Sequence, residues 1–155
     1  MKSAGSRLLA CALLTGAALL TTPAVASADD GHTATCTADA QIAGAQTYVA
    51  ALADASVAHD VPVADEVIRF ENGLQTGFSG PFMKAELAAH LQYGGITGIK
   101  NTTWSQHGNL VRAVYDLDYG FAGIDVAGAT VDETFAFDDH CLITRIDATI
   151  TVRLA

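Results

Sequence analysis

Glu133, in the run "VDETFAF", is the residue whose sequence neighbours most directly suggest a catalytic or binding role. Side chains alternate between the two faces of an extended strand, so Glu133 shares a face with Val131, Phe135 and Phe137. Burial among apolar side chains disfavours the ionised carboxylate, and we expect the pKa of Glu133 to be raised. A neutral buried acid can donate a hydrogen bond to a developing oxyanion. The alternative is a structural glutamate bonded to an arginine or to a backbone amide.

A second carboxylate, Glu71, lies where a strand is expected to end. The strand-forming run "VIRF" precedes it, and Asn72-Gly73, a strong signal for a tight hairpin turn, follows it. If Arg69, two residues earlier on the same strand face, points elsewhere, Glu71 is placed to act as a general base. If Arg69 pairs with Glu71, the carboxylate has a structural role and its pKa is expected to fall.

Aromatic side chains supply the remaining candidates. Tyr48 lies at the edge of the apolar stripe of a predicted helix, so its ring can pack while its hydroxyl reaches a cavity. The alternative is a tyrosine that packs with its hydroxyl at the surface or on a core carbonyl. Arg69 is also a pocket candidate. Three further residues are pocket candidates with core packing as the alternative interpretation: Trp104, Tyr115 and Tyr119.

The elements that must position these residues follow from periodicity, caps and turn signals. Two helices are predicted, over residues 37–55 and 79–91. Strands are predicted over residues 66–71, with a short return strand, and then over 96–106, 110–119, 123–137 and 141–153. Helices that cover one face of a curved antiparallel sheet make an α+β fold.

Apolar spacing also predicts which side chains of the second helix and the last strand face the core. For the helix these are Met83, Leu87 and Leu91. For the strand they are Leu142, Ile146, Ala148, Ile150 and Val152.

The first 28 residues have the features of a secretory signal peptide. Lys2 and Arg7 form a basic start, an apolar run occupies residues 8–20, and "ASA" at 26–28 makes a small-residue cleavage site. The sequence therefore predicts a secreted protein, with a loose segment over residues 29–40 and one domain over residues 41–155. No later apolar run is long enough for a membrane helix, so no membrane insertion is expected after cleavage.

Two cysteines remain after that cleavage, Cys36 and Cys141. An even number of cysteines in an exported chain predicts a disulfide bond, here between the start of the domain and its last hairpin. Metal binding is the weaker alternative, since neither cysteine belongs to a CxxC or CxxH pair.

Charge and motifs exclude several classes of function. The chain carries 17 acidic and 8 basic residues, a formal net charge of −9, which repels nucleic acid and anionic lipid. The stretch "GFSGP" lacks the second glycine of the serine nucleophile motif GxSxG, and Pro81 occupies its place. The five histidines are scattered without an HxxxH pair. We therefore expect neither a nucleic-acid partner nor a metal or organic cofactor.

The predicted order of elements over residues 41–152 resembles the cone-shaped nuclear transport factor 2-like superfamily, which includes ketosteroid isomerases and SnoaL-like polyketide cyclases. The stretch "ALADASVAHDVPVADEVIRFENGLQTGFSG" also resembles exported actinobacterial and fungal domains with an R-x-E-N-G core. The superfamily resemblance implies a curved antiparallel sheet wrapped around helices, with a ligand cavity inside the cone.

Ketosteroid isomerases offer the sharper comparison. Tyr48 in "TYVAAL" is similar to their oxyanion-hole tyrosine, and Glu71, ahead of "SG" at 79–80, is similar to their catalytic base. Glu133, ahead of the "FAF" strand end, is similar to their protonated oxyanion-hole acid. Two features depart from the isomerase pattern: both acids are Glu rather than Asp, and Asn72 follows the base where the isomerases have proline.

Two functions from different classes follow. The first is an exported protein that binds a small, mostly apolar ligand in the cone cavity, as a monomer or a homodimer. The second is a cofactor-free isomerase, cyclase or dehydratase, in which Glu71 removes a proton while Tyr48 and Glu133 hold the oxyanion. Convergence of these three groups on one accessible cavity is the feature that favours the enzyme.

Overall fold

The computed structural model describes residues 36–154. Two α-helices, one 3₁₀-helix and one six-stranded sheet make up this part of the chain, which has the α+β fold that the sequence predicts. The elements are α1 (Ala38–Ala53), the 3₁₀-helix (Ala55–Asp60), β1 (Val63–Glu71), β2 (Leu74–Gly77), α2 (Gly80–Ala89), β3 (Ile96–His107), β4 (Leu110–Phe121), β5 (Ile124–Phe137) and β6 (Ile143–Leu154). Within residues 36–154, the helices are too short or too polar to cross a membrane.

The signal peptide predicted over residues 1–28 lies outside the described residues. Helix α1 begins at Ala38, within one residue of the predicted start, because the Thr37 side chain accepts a hydrogen bond from the Ala40 N–H at 3.2 Å. At the other end, the Asp54 carboxylate accepts from the Ser56 N–H at 2.9 Å and starts the 3₁₀-helix. Helix α1 therefore ends at Ala53 rather than at residue 55.

The curved sheet has the strand order β2-β1-β6-β5-β4-β3, so the last strand of the chain lies inside the sheet. Neighbouring strands are antiparallel except β1 and β6, which run parallel. Strand β1 starts at Val63, earlier than the predicted residue 66. The reason is a hydrogen bond from the Ile143 N–H to the Pro62 carbonyl at 2.7 Å, which joins the two strands at that point.

The core lies between the helices and the concave face of the sheet. Strand β5 alternates as predicted, with Val131, Phe135 and Phe137 buried. In β6 the first buried residue is Ile143 rather than the predicted Leu142, because the register between β5 and β6 shifts near Phe137.

Helix α2 begins after Ser79, whose hydroxyl accepts a hydrogen bond from the Phe82 N–H at 3.3 Å, and its predicted extension to Leu91 is wrong. His90 adopts the left-handed conformation with φ of 53° and ends the helix at Ala89. Leu91 is consequently 92% exposed and does not join the core, whereas Met83 and Leu87 do.

The predicted disulfide is present. Cys36 and Cys141 are bonded, with Cα atoms 4.9 Å apart and a sequence separation of 105. The bond ties the start of α1 to the turn between β5 and β6. Closing a loop of that length stabilises the fold by about 4–5 kcal/mol in the chain-entropy model.

Candidate functional site

A cavity of about 80 Å³ lies between the concave face of the sheet, the end of α1 and the segment that follows α2. It brings together four residues that the sequence singled out, Tyr48, Glu71, Tyr115 and Glu133. The other lining residues are mostly apolar: Leu52, Tyr93, Ile96, Leu117, Val131, Ala148 and Ile150. An apolar cavity with a few convergent polar groups is typical of a small-molecule site.

The Glu133 carboxyl is buried in this cavity, as its neighbours on the strand predict, with 3% of the residue exposed. The Tyr115 hydroxyl donates to its Oε2 at 2.8 Å. Burial raises the pKa of Glu133 to about 8, while the hydrogen bond from Tyr115 and the charge of Arg69 oppose the rise and Glu71 adds to it. At neutral pH the carboxyl is therefore predominantly protonated.

Helix α1 carries Tyr48 into the cavity, where the residue is 1% exposed. Its ring meets Phe135 edge-on, with the ring centroids 5.3 Å apart. The hydroxyl oxygen accepts a hydrogen bond from Arg69 Nη1 at 3.2 Å. Burial and then the charge of Glu133 raise the pKa of Tyr48, so the hydroxyl keeps its proton at neutral pH.

Arg69 is wholly buried and does not line the cavity, although it was a predicted pocket residue. It lies behind two lining residues, Tyr48 and Tyr93, and bonds to both. Nη1 donates to the hydroxyls of Tyr48 and Tyr93 at 3.2 and 2.7 Å. Nη2 donates to Glu86 at 2.8 Å and to the Thr76 carbonyl at 3.5 Å, and Nε donates to the Thr76 hydroxyl at 3.0 Å. All five guanidinium N–H groups are therefore engaged.

Glu71 lies at the mouth of the cavity, with 26% of its side chain exposed. Its Oε1 atom is 3.5 Å from Arg69 Nε, close enough for an attraction between opposite charges. The single hydrogen on Nε is directed at Thr76, so this ion pair lacks a hydrogen bond. The two roles weighed from the sequence, base and structural partner of Arg69, both keep a geometric basis.

Tyr93 is a cavity residue that the sequence analysis missed. It follows α2, is 7% exposed, and its hydroxyl accepts from Arg69. Burial raises the pKa of Tyr93 to about 12. The segment around it has neither helical nor strand periodicity, and the one available signal was a tyrosine directly before the glycine pair at 94–95.

The other two predicted pocket residues do not line the cavity. Trp104, on β3, is half-buried and packs against the core. Tyr119, on β4, is 44% exposed, and its ring lies so close to Gly95 that any side chain at Gly95 would overlap it.

A wider groove of about 340 Å³ on the convex face of the sheet is a weaker candidate. Its charged residues, Arg145 and Asp147, bond to each other, and the Arg145 guanidinium lies 4.6 Å from the centre of the Phe70 ring. Within residues 36–154, no three His, Cys, Asp or Glu side chains are grouped as metal ligands. The 80 Å³ cavity therefore remains the candidate site.

Several solved structures share this fold. An LEH-like epoxide hydrolase from M. tuberculosis matches with a TM-score of 0.59 and 17% identity, over 74% of this chain and 84% of that protein. An NTF2-like protein of unknown function from Cytophaga hutchinsonii matches with a TM-score of 0.56 and 15% identity, over 74% and 98%. A SnoaL-like family member from Agrobacterium tumefaciens matches with a TM-score of 0.54 and 20% identity, over 73% and 98%. Identities this low show a common fold, the nuclear transport factor 2-like cone, and nothing further.

No curated protein matches the sequence significantly. The model of one protein family, described as a domain of unknown function (DUF8021), matches residues 35–150, which include both helices, the candidate cavity and the two bonded cysteines. The chain therefore belongs to the DUF8021 family.

Proposed function

We propose that the protein is an exported binding protein for a small neutral molecule that presents an acceptor oxygen to Tyr48 and Glu133. One observation carries the proposal: a helix residue, a strand-end carboxylate and a buried strand carboxyl, Tyr48, Glu71 and Glu133, line the same largely apolar cavity. Such a cavity recognises a ligand by shape and by its few polar groups.

Tyr48 and Glu133 are both donors at neutral pH. A guanidinium has no acceptor, so a hydroxyl that accepts from Arg69 keeps its own proton for another partner. With a pKa of about 8, Glu133 is protonated, and because Tyr115 occupies Oε2, Oε1 is available to donate. A ligand held by both groups therefore carries an acceptor, such as a carbonyl oxygen.

The charges around the cavity favour a neutral ligand. Arg69 contributes one positive charge, and Glu71 and Glu86, at 3.5 and 2.8 Å from it, contribute two negative charges. Protonated Glu133 adds none. This balance opposes a carboxylate or phosphate ligand but not a ketone, an aldehyde or an ester.

The volume of about 80 Å³ limits the part of the ligand that fits inside. An apolar cavity of about 150 Å³ holds one benzene molecule with six heavy atoms, so this one holds about three or four heavy atoms. Acetone, an acceptor oxygen on a small apolar body, is the matching probe.

NMR titration with acetone tests the proposal. We expect acetone to shift the signals of cavity residues, and Tyr48→Phe, which keeps the ring but removes the hydroxyl, to weaken binding about 2- to 10-fold. Tyr119→Phe, which removes a hydroxyl outside the cavity, is the matched control and should bind as the wild type does. Equal affinities of the wild type and Tyr48→Phe would contradict the role proposed for the hydroxyl.

Export is part of the proposal. The bond between Cys36 and Cys141 supports it, because disulfides persist in oxidising compartments outside the cytosol. Mass spectrometry of the protein recovered from the culture medium should find an N-terminus at Asp29. Recovery of the uncleaved chain from the cell interior alone would contradict export.

Proton transfer is a second candidate function, because Glu71 lines the cavity together with both donors. In this reaction Glu71 takes a proton from the carbon beside a carbonyl, and Tyr48 and Glu133 hold the enolate oxygen. An isomerase would then return the proton from Glu71 to a different carbon, with no cofactor.

Exchange of the methyl protons of acetone for deuterium isolates the first step of that reaction. If Glu71 is a base, the protein accelerates the exchange in deuterium oxide, and Glu71→Gln abolishes the acceleration while still binding acetone. If the wild type binds acetone but its methyl protons exchange only at the rate seen in buffer, proton transfer is contradicted and ligand binding remains the proposed function.

A further inference from the structure

The cavity opens onto an apolar strip of the same concave sheet face. The lining residues that are not fully buried mark its mouth: Glu71, Ile96, Leu117 and Ile150. Beyond the mouth the concave face continues through four apolar residues that are half-buried or exposed, Tyr119, Ala127, Ala129 and Val152. We call these four residues the shelf.

The strand register makes the shelf continuous with the cavity. Ala129 of β5 lies opposite Leu117 of β4 on one side and opposite Val152 of β6 on the other. Ala127 lies opposite Tyr119 one row further out. Directly opposed residues on one sheet face are in side-chain contact range, so apolar surface runs without interruption from the cavity wall onto the shelf.

The shape of the shelf suits an extended aliphatic chain. Its middle consists of the two small side chains, Ala127 and Ala129, and its borders are the larger ones, Tyr119 and Val152. The Tyr119 ring packs closely against Gly95. Val152 and Tyr119 are 66% and 44% exposed, so an apolar chain that covered them would remove this surface from water.

We propose that the ligand is an amphiphile whose oxygen-bearing head fills the cavity and whose aliphatic tail lies along the shelf. The inference rests on the proposed function, because the head is the group held by Tyr48 and Glu133. The size of the cavity supports the same inference. The cavity holds about three or four heavy atoms, so the rest of any larger ligand must extend out through the mouth, which Leu117 and Ile150 border.

A series of methyl ketones from acetone to 2-octanone tests the tail. Every member has the same head, and each additional methylene lies further out along the shelf. A fully buried methylene strengthens binding about fourfold, and a half-covered one about twofold, so five methylenes should strengthen binding at least about 30-fold. Dissociation constants are measured by NMR titration with the disulfide-bonded protein, below the solubility limit of each ketone.

Two substitutions separate the tail from the head. Val152→Asp places a charge on the shelf and should abolish the gain with chain length while leaving acetone binding unchanged. Val126→Asp is the matched control, because Val126 is 52% exposed on the same hairpin but points to the opposite sheet face from Ala127. Tyr48→Phe should weaken every ketone by the same factor.

The outcomes are distinguishable. Acetone binding without a gain along the series, or equal effects of Val152→Asp and Val126→Asp, would overturn the shelf inference and leave the proposed function standing. If Tyr48→Phe left the affinity for every ketone unchanged, the role proposed for the head would be contradicted instead. If sedimentation shows a dimer that Val152→Asp dissociates and ketones do not, the shelf binds a second copy of the chain and the inference is overturned.

Discussion

The two faces of the sheet use arginine in opposite ways. On the concave face, Arg69 is wholly buried, and its five donors are divided among four side chains and one backbone carbonyl oxygen, with Glu86 as the bonded carboxylate. On the convex face, Arg112 and Arg145 each bond through two nitrogens to one aspartate and remain about half exposed.

The difference shows that burial, rather than the number of ion pairs, decides what an arginine contributes. If an exposed pair is broken, water solvates both charges, and the loss in stability is small. If Arg69 is removed, the partly buried Glu86 carboxylate and the buried hydroxyls of Tyr48 and Tyr93 lose their partner, and water has little access to replace it at the two hydroxyls. The convex pairs therefore contribute little to stability, whereas Arg69 links the cavity residues Tyr48 and Tyr93 to Glu86 of α2.

The largest effect is expected at Arg69. Arg69→Met keeps the length of the side chain but removes the charge and all five donors. We expect the free energy of unfolding in urea to fall by about 3–5 kcal/mol. Arg112→Met is the matched control on the convex face, and an equal loss in both variants would mean that burial does not separate the two arginines.

The next effect concerns the pH dependence set by Glu133. Its pKa is about 8 in the folded state, against an ordinary value of 4.5, so the folded state binds more protons between these values. The stability contributed by this group is fully present below pH about 4.5 and is lost as the pH rises towards 8, at up to about 1.4 kcal/mol per pH unit.

Glu133→Gln, which imitates the protonated acid, should remove that slope. The difference in unfolding free energy between variant and wild type should then move in favour of the variant from pH 5 to pH 8. Parallel stability curves over this range would show that the Glu133 carboxyl has an ordinary pKa.

A smaller effect is expected at Glu71. Its pair with Arg69 lacks a hydrogen bond and is partly solvated, so Glu71→Gln should lower the free energy of unfolding by no more than about 1 kcal/mol. Glu66→Gln, at an exposed position of the same strand, is the control. A loss comparable to that of Arg69→Met would show that Glu71 clamps Arg69 and serves structure alone.

The smallest effect belongs to the convex pairs. Asp132→Asn removes the charge that Arg112 binds, and we expect a change in unfolding free energy below about 0.5 kcal/mol, reduced further by salt. A double-mutant cycle with Arg112→Met measures the pair directly. A coupling energy above about 1 kcal/mol would contradict the contrast between the two faces.

Local rules in the sequence were sufficient where one strand or one residue count decided the outcome. The alternation of Val131, Glu133, Phe135 and Phe137 predicted the burial of Glu133, because strand geometry sends every second side chain to one face. The disulfide was predictable because Cys36 and Cys141 were the two cysteines left after the expected cleavage.

Contacts between distant elements could not be predicted in the same way. Arg69 meets Tyr48, Tyr93 and Glu86, which lie 21, 24 and 17 residues away, and no periodicity relates them. The end of α2 at His90 depended on one residue adopting φ of 53°, which apolar spacing does not reveal. The parallel pairing of β1 with β6 likewise joins residues far apart in the chain, such as Val63 and Ile143.

The place of β6 inside the sheet has a consequence for the order in which the domain can assemble. The ribosome synthesises the chain from the N-terminus, so β1 and β2 emerge early. One of the two neighbours of β1, however, is β6, the last strand to be synthesised. Until Ile143–Leu154 is available, the β1–β2 hairpin and the β3–β5 meander are not joined. The edge of β1 and the edge of β5 that β6 will cover are both unpaired at that stage. In a chain that stops before residue 143, the edges of β1 and β5 that β6 covers in the complete domain stay unpaired, and the chain is expected to aggregate rather than to fold into a smaller domain.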